Sequence, residues 1–379
     1  MQNPFSKLGG FFRQTFQSPD DSVVGVDIGS SYLKVVQLRR KGGKAILETY
    51  GSLALGPYAG VEIGRATRLP TDLTAEALRD ILREAHVTTK QAAFAIPFAS
   101  SLVTLIEMRV LDPKQLSTSV PLEAKKYVPV PISEVNLDWW IIPEEPAVRE
   151  NVGGAVTEDI PKEDPNAPKL MNILIAAIHN EALGRYQEIA KASTLESSFF
   201  EIELFSTIRS LFPQDLEPHA VLDIGAGETK LYIIDRGLVR ASHIINHGGQ
   251  DITLAISRSL GISVEEAEKM KRAGEAGAGP EKGPLSAILN VIFSEASRAL
   301  AGFEHRFGRK IKDLLLSGGG ANLHGISELA SESFSMPVAR ANPFKQVEAP
   351  AFLDEVLQSV GPEFTVAIGI AFRKLQEAS

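Results

Sequence analysis

VVGVDIGSSYLKVVQL, residues 23–38, sets an acid and a glycine at the end of an apolar run, then two serines, then a second apolar run. AVLDIGAGETKLYII, residues 220–234, repeats that order in the second half of the chain. The β-branched content of Val23–Asp27 and Leu33–Leu38 predicts two strands joined by a tight turn. Each half therefore supplies a strand–turn–strand, and the two turns can face one another across a cleft. A single Asp-x-Gly turn is common structural punctuation. The repeat, joined to a later glycine triplet, is the stronger signal.

Both turns carry parts suited to a polyphosphate. In the first, Gly29 allows close backbone approach. The turn amides and the Ser30 and Ser31 hydroxyls are donors for anionic oxygens, and Lys34 adds charge. Asp27, at the strand end, suits Mg²⁺, which keeps several waters and takes one or two carboxylates. Asp223, Gly225, Gly227, Thr229 and Lys230 offer the same parts in the second turn, with Asp223 as the matching magnesium carboxylate. LLLSGGGANL, residues 314–323, puts Gly318, Gly319 and Gly320 between a buried strand and a helix. Flat backbone at a helix N-terminus suits a purine or its α-phosphate.

With 379 residues the chain has room for more than one core. An apolar fraction of 44% and a charged fraction of 23% are those of a globular protein. A net charge of −8 without a large basic run disfavours general nucleic-acid binding. The absence of cysteine excludes disulfides, thiolate catalysis and thiolate metal sites. No apolar run is long enough for a membrane helix, and no cleavable signal pattern opens the chain. Residues 1–21 form an N-terminal arm. Phe5, Leu8, Phe12 and Phe16 can line one helical face for a lipid interface; the alternatives are a disordered arm, because Gly9–Gly10 weakens a helix, or docking on a partner.

Between the hairpins, a helix from Thr74 with Leu78, Ile81, Leu82 and Ala85 on one face, then the strand AAFAIP (92–97), argue for an α/β sheet. Residues 98–142 read as a compact β–α–β–β insert, and residues 143–169, rich in Pro, Glu and Asp, as a solvated loop. LMNILIAAI (170–178) is a fully apolar strand. Ser263 and Glu266 form a capping box, and a long helix runs from Leu285 to Phe307.

These motifs resemble the actin-like ATPase superfamily, whose fold is α/β, ribonuclease H-like and two-lobed. VDIGSSYLK looks like its first phosphate loop, LDIGAGETK its second, and LSGGGANLHG, which includes Asn322, its adenosine loop. Within it, LEAKKYVPVPISEVNLDWWII (122–142) and GGQDITLAISRSLGISVEEAEKMK (248–271) resemble the branch shared by FtsA and the type IV pilus assembly proteins of the PilM family. The resemblance covers residues 22–379 apart from the 143–169 loop.

It implies subdomain IA from 22–97, 170–213 and 363–379, and an FtsA-like 1C insert from 98–169. It further implies IIA from 214–250 with 310–362, and IIB from 251–309. ATP and Mg²⁺ are the implied ligands. Glu268 and Lys271 match positions that approach the ribose and base. Glu203, in EIELFSTIRSLF, would hold the place of a water-positioning glutamate. The proline and alanines of that motif are absent, so slow or no ATPase is expected.

The resemblance also implies a cytoplasmic adaptor at the inner-membrane face of a pilus or related secretion platform. A groove between subdomains 1A and 1C would take the N-terminal cytoplasmic peptide of PilN, walled by the SLVTLIEMRV and VNLDWW strands, and other platform proteins would be further partners. Two other readings stay open. A metabolic kinase would need a base beside the γ-phosphate and a sugar-pocket motif, and none is visible. An FtsA-type division or filament protein would carry a C-terminal amphipathic helix, which is not expected beyond AFRKLQEAS. His243 and His247 are four apart, but on a strand that spacing separates them by about 13 Å, so no zinc site is expected.

Overall fold

The computed structural model describes residues 22–109, 112–142, 170–212, 215–275 and 283–377. The four phenylalanine and leucine positions of the N-terminal arm and the 143–169 loop lie outside these residues. The chain forms two compact units, one of Met1–Ala99 with Leu183–Ser379, the other of Ser100–Ala182.

The first unit begins with β1 (Ser22–Ile28), β2 (Tyr32–Lys41) and β3 (Lys44–Ala54), an antiparallel meander. Helix α1 (Thr71–Glu84) buries Thr74, Ala75, Ala77, Leu78 and Ile81 along one stripe. Strand β4 (Gln91–Ile96) then returns parallel to β1.

The second unit is a three-stranded sheet with one helix. Its elements are β5 (Ser101–Arg109), α2 (Pro113–Ala124), β6 (Val135–Ile142) and β7 (Leu170–His179), in sheet order β5-β7-β6. Leu116, Val120 and Ala124 of α2 pack on Ile106, Ile173 and Ile175, and Trp139 packs against the same cluster. Residues 98–142 supply β–α–β rather than the expected β–α–β–β, and the third strand of the unit is β7. Residues 170–178, expected in subdomain IA, are instead the central strand of the inserted sheet. A run apolar on both faces fits the middle of either sheet equally well, so its residue pattern could not decide between them.

The chain re-enters the first unit within α3 (Asn180–Ala192), followed by β8 (Glu196–Ile202), parallel to β4, and α4 (Glu203–Leu211). The second meander is β9 (His219–Ile224), β10 (Thr229–Asp235) and β11 (Leu238–Ile245). Next come α5 (Gly249–Leu260), α6 (Val264–Ala273), whose Ser263–Glu266 capping box is formed, and α7 (Pro284–Phe307). Strand β12 (Asp313–Ser317), α8 (Ile326–Phe334), β13 (Val338–Arg340), α9 (Asp354–Val360) and α10 (Thr365–Glu377) complete the chain.

The two five-stranded sheets run β3-β2-β1-β4-β8 and β11-β10-β9-β12-β13. They share one plan: an antiparallel meander, then two strands parallel to its first member. The duplication seen in two short turns therefore extends to whole sheets. The core of the second sheet is closed by α7, which buries Leu289, Ile292, Phe293, Ala296, Leu300 and Phe303, whereas Phe307 is 38% exposed where the stripe runs past the sheet. Helix α10 seals the first sheet with Ala367, Ile368, Ala371 and Phe372 against Val23, Val36 and Leu38.

Candidate functional site

Each hairpin turn closes in the same way. The Gly29 N–H donates to the Tyr32 carbonyl at 3.0 Å, and the Gly225 N–H to the Glu228 carbonyl at 3.0 Å. Register then puts Lys34 directly across from Asp27, and Lys230 across from Asp223. The two turns meet. A β-carbon added to Gly227 would lie 3.6 Å from Ser30 Oγ. Ser31 is buried, and its carbonyl accepts the Leu55 N–H at 2.9 Å, while the Ser30 carbonyl accepts the Thr67 N–H at 2.8 Å. Thr229 is fully buried and its hydroxyl donates to the His247 carbonyl at 2.7 Å, which fixes the β10 end to the start of α5.

Three carboxylates and two lysines share the floor. Asp27, Asp223 and Glu203 are 8%, 8% and 6% exposed. Lys230 Nζ stands 2.8 Å from Glu203 Oε1 and 4.0 Å from Asp223 Oδ2; Lys34 Nζ stands 3.6 Å from Asp27 Oδ2. Glu203 opens α4, and its Oε1 also accepts the Phe98 N–H at 2.6 Å. Burial pushes the Asp223 carboxyl up to about 6, with Glu203 adding and Lys230 opposing. Burial pushes Asp27 up as well, against the pull of Lys34. Burial pulls Lys230 down, but Glu203 and Asp223 together outweigh it and hold the ammonium above its ordinary value.

A carboxyl that binds its proton more tightly when folded stabilises the fold below its ordinary value of 3.8. That contribution is lost as pH rises through about 6. The ligand-free protein is therefore expected to lose stability relative to Asp223→Asn as pH rises from about 4 to 7. Thermal unfolding across that range measures it. Parallel pH profiles for the two proteins would show that Asp223 is not desolvated as described.

The glycine triplet divides its duties. Gly318 has φ +78°, and a β-carbon there would stand 2.4 Å from Asp223 Oδ1. A β-carbon on Gly320 would stand 2.2 Å from Ile224 Cγ2, whereas Gly319 has open space around it. Two of the three glycines thus bring the triplet's backbone against the second turn. The sequence reading of a helix opening directly at the triplet needs correction: a 3-10 turn, Gly319–Asn322, intervenes, and α8 begins at Ile326. The Asn322 amide donates to Glu363 Oε1 at 2.7 Å, and its oxygen accepts from Arg340.

Glu268 and Lys271 of α6 are both buried and bonded to each other at 2.6 Å. Glu268 also accepts from the Thr253 hydroxyl at 2.6 Å and from Arg272 Nε at 2.8 Å. Lys271 donates to the Gly249 carbonyl at 3.0 Å. Burial favours neutral Glu268, but Lys271, Thr253 and Arg272 overcome it and hold the carboxyl below its usual range.

Sequence reasoning missed several residues here. Arg272 Nη2 donates to the Tyr32 hydroxyl at 2.7 Å with its guanidinium 5.2 Å from the Tyr32 ring centroid, tying α6 to the first hairpin. Gln250 Oε1 accepts the Ala66 N–H at 2.9 Å. Gly64, at φ +90°, would place a β-carbon 2.5 Å from the Glu268 carboxyl. The available signals were the i, i+4 spacing of Glu268 and Arg272 and the position of Tyr32 beside the serines.

The donor set suits a hydrated magnesium polyphosphate. Asp27 and Asp223 sit at matching strand ends, each beyond hydrogen-bond reach of its lysine. Among the described residues, no cluster of three or more His, Asp or Glu is placed to hold a metal directly. His243 lies on β11 at 3.6 Å from Glu295, and His247 beyond that strand at 3.6 Å from Asp251.

The duplicated sheet, with an Asp–Lys hairpin at the centre of each copy, is that of an actin-like ATPase fold. The family model for type IV pilus assembly protein PilM matches residues 25–156 and 159–375, and the chain belongs to that family. The solved "PilM-PilN type IV pilus biogenesis complex" is similar with a TM-score of 0.76 and 24% identity, over 93% of this chain and 98% of that one. Ethanolamine utilization protein EutJ from Carboxydothermus hydrogenoformans is similar with a TM-score of 0.51 and 16% identity, over 93% of this chain and 90% of that one. Cell division protein FtsA of Neisseria meningitidis serogroup B is 24% identical over 84% of this chain and 82% of its own length. EutJ of Escherichia coli K12 is 34% identical over 31% of this chain, a match that spans 40% of EutJ. Among the described residues no helix is long and apolar enough to cross a membrane.

Proposed function

We propose that the chain is an ATP-binding assembly adaptor of a type IV pilus or related secretion platform, working at the cytoplasmic face of the inner membrane. The observation that carries nucleotide binding is the pair of facing Asp–Lys turns with Gly318 held against Asp223. The Gly29 and Gly225 turns would hold the phosphates, with Ser30, Ser31, Lys34 and Lys230 as donors. Asp27 and Asp223 would orient the waters of Mg²⁺. Gly319 and Asn322 would border the adenosine, and Glu268 and Lys271 would support that side. When bound, the magnesium polyphosphate supplies a charged bridge between the two hairpins.

Turnover is expected to be slow. Glu203 is held by Lys230 and the Phe98 amide, and a carboxylate so engaged is poorly placed to orient water. The partner is the N-terminal peptide of PilN. Family membership and the likeness to the PilM–PilN complex support it. An extended-peptide mode is the expected form of recognition.

A pull-down with a synthetic PilN N-terminal peptide, with and without ATP·Mg²⁺, tests the adaptor role. Capture of the peptide is the expected result. No capture under either condition, with turnover stimulated by a sugar or carboxylate, would favour a kinase instead.

A further inference from the structure

The two units are joined covalently at two places: between Ala99 and Ser100, and within α3 between Ala182 and Leu183. The second junction lies inside a continuous helix. The first lies in a single 3-10 turn, Phe98–Ser100, and is the softer of the two. That turn is anchored to the floor of the candidate site. The Phe98 amide donates to Glu203 Oε1 at 2.6 Å, and the same oxygen receives Lys230 Nζ at 2.8 Å. The Phe98 ring meets Tyr232 edge-on at 5.6 Å, and Tyr232 lies two residues beyond Lys230 on the same face of β10. Tyr232 is fully buried and its hydroxyl has no hydrogen-bond partner among the described residues, so the packing around Phe98 leaves one polar group unsatisfied there.

Resting on the nucleotide-binding reading above, we infer that Glu203 is a coupling residue that links Lys230 of the second hairpin to the Phe98–Ser100 turn at the root of the inserted unit. Lys230 stands between Glu203 at 2.8 Å, Glu228 at 3.7 Å and Asp223 at 4.0 Å. An anionic oxygen at the hairpin competes with Glu203 for the Lys230 ammonium and draws it away from that 2.8 Å contact. Glu203 is then left buried with one amide donor for its charge, an unfavourable state that the turn can relieve by shifting. The coupling is a physical chain of two bonds ending at a covalent hinge, and it is reciprocal: a ligand of the inserted unit that holds the turn would alter the site's hold on nucleotide. The role of Glu203 is thus positional, distinct from orienting water.

Hydrogen exchange of the full chain over residues 98–109 tests the idea in two arms. Without nucleotide, Glu203→Gln, which keeps an acceptor but loses the charge, is expected to raise exchange in this segment at least tenfold. Unchanged exchange there overturns the proposal whatever the protein binds. In the second arm, ATP·Mg²⁺ at saturation is expected to change wild-type exchange at least fivefold, a factor within the usual range of allosteric couplings. Glu203→Gln, which removes the charge that ties Lys230 to the turn, is expected to lose that response. Wild-type protein that binds nucleotide with no change over 98–109, or Glu203→Gln protein that binds nucleotide and responds fully, overturns the coupling. Wild-type protein that binds no nucleotide overturns the nucleotide reading instead, and the first arm still decides the role of Glu203.

Discussion

Gly369→Ala is expected to be among the most damaging single methyl additions in this protein, destabilising it by about 3 kcal/mol or more. Gly369 lies in α10, and a β-carbon there would stand 1.9 Å from the Ser206 carbonyl oxygen of α4. No heavy atoms approach so closely, and the obstacle is backbone, so α10 must lift from α4. Gly25 shows the same device on β1, where a β-carbon would lie 2.1 Å from the Ala367 carbonyl. Helix propensity pulls the other way, since alanine is better than glycine in a helix by about 1 kcal/mol. The clash outweighs it. Gly302 in α7 is the control: nothing among the described residues lies within 4 Å of its added β-carbon, so Gly302→Ala is expected to stabilise by about 0.5–1 kcal/mol. Denaturant unfolding of both variants measures the contrast. If Gly369→Ala unfolds at or above the wild-type midpoint, α10 does not pack as described.

Glu268→Ala is the second large effect. It removes a buried carboxylate that pairs with buried Lys271 and half-exposed Arg272 and accepts the Thr253 hydroxyl. Lys271 would remain buried without its counter-charge, and breaking one partner of a buried pair costs about 3–5 kcal/mol. Glu268→Ala/Lys271→Met is expected to recover part of that loss, because no buried charge is then uncompensated. Hydrogen exchange over residues 249–273 and global unfolding both report it. A double variant as unstable as the sum of its singles would mean the two side chains do not interact in the folded protein.

Much of the frame was legible because it rests on local chemistry. Asp27-Ile28-Gly29 and Asp223-Ile224-Gly225 announce tight turns, and the flanking apolar runs announce strands. The equivalent roles of Lys34 and Lys230 follow once the hairpins are drawn. What was not legible is non-local. Strand β7 carries the same apolar pattern whichever sheet receives it. Gly318 and Gly320 were read as room for a base, but their immediate cause is the approach of Asp223 and Ile224 from another strand. Tyr32 and Arg272 meet across 240 positions of chain, and neither residue alone carries a signal for the other. The bond from Phe98 to Glu203 involves a main-chain amide, a group every non-proline residue has and no sequence motif marks.

The central claim is that two facing Asp–Lys turns form one nucleotide site. Calorimetric titration of the full chain with ATP·Mg²⁺ tests it most directly. One site per chain, much weakened in Asp27→Ala and in Asp223→Ala and sensitive to removal of magnesium, is the predicted result. A wild-type protein that gives no binding, or one whose binding survives both substitutions undiminished, would contradict it.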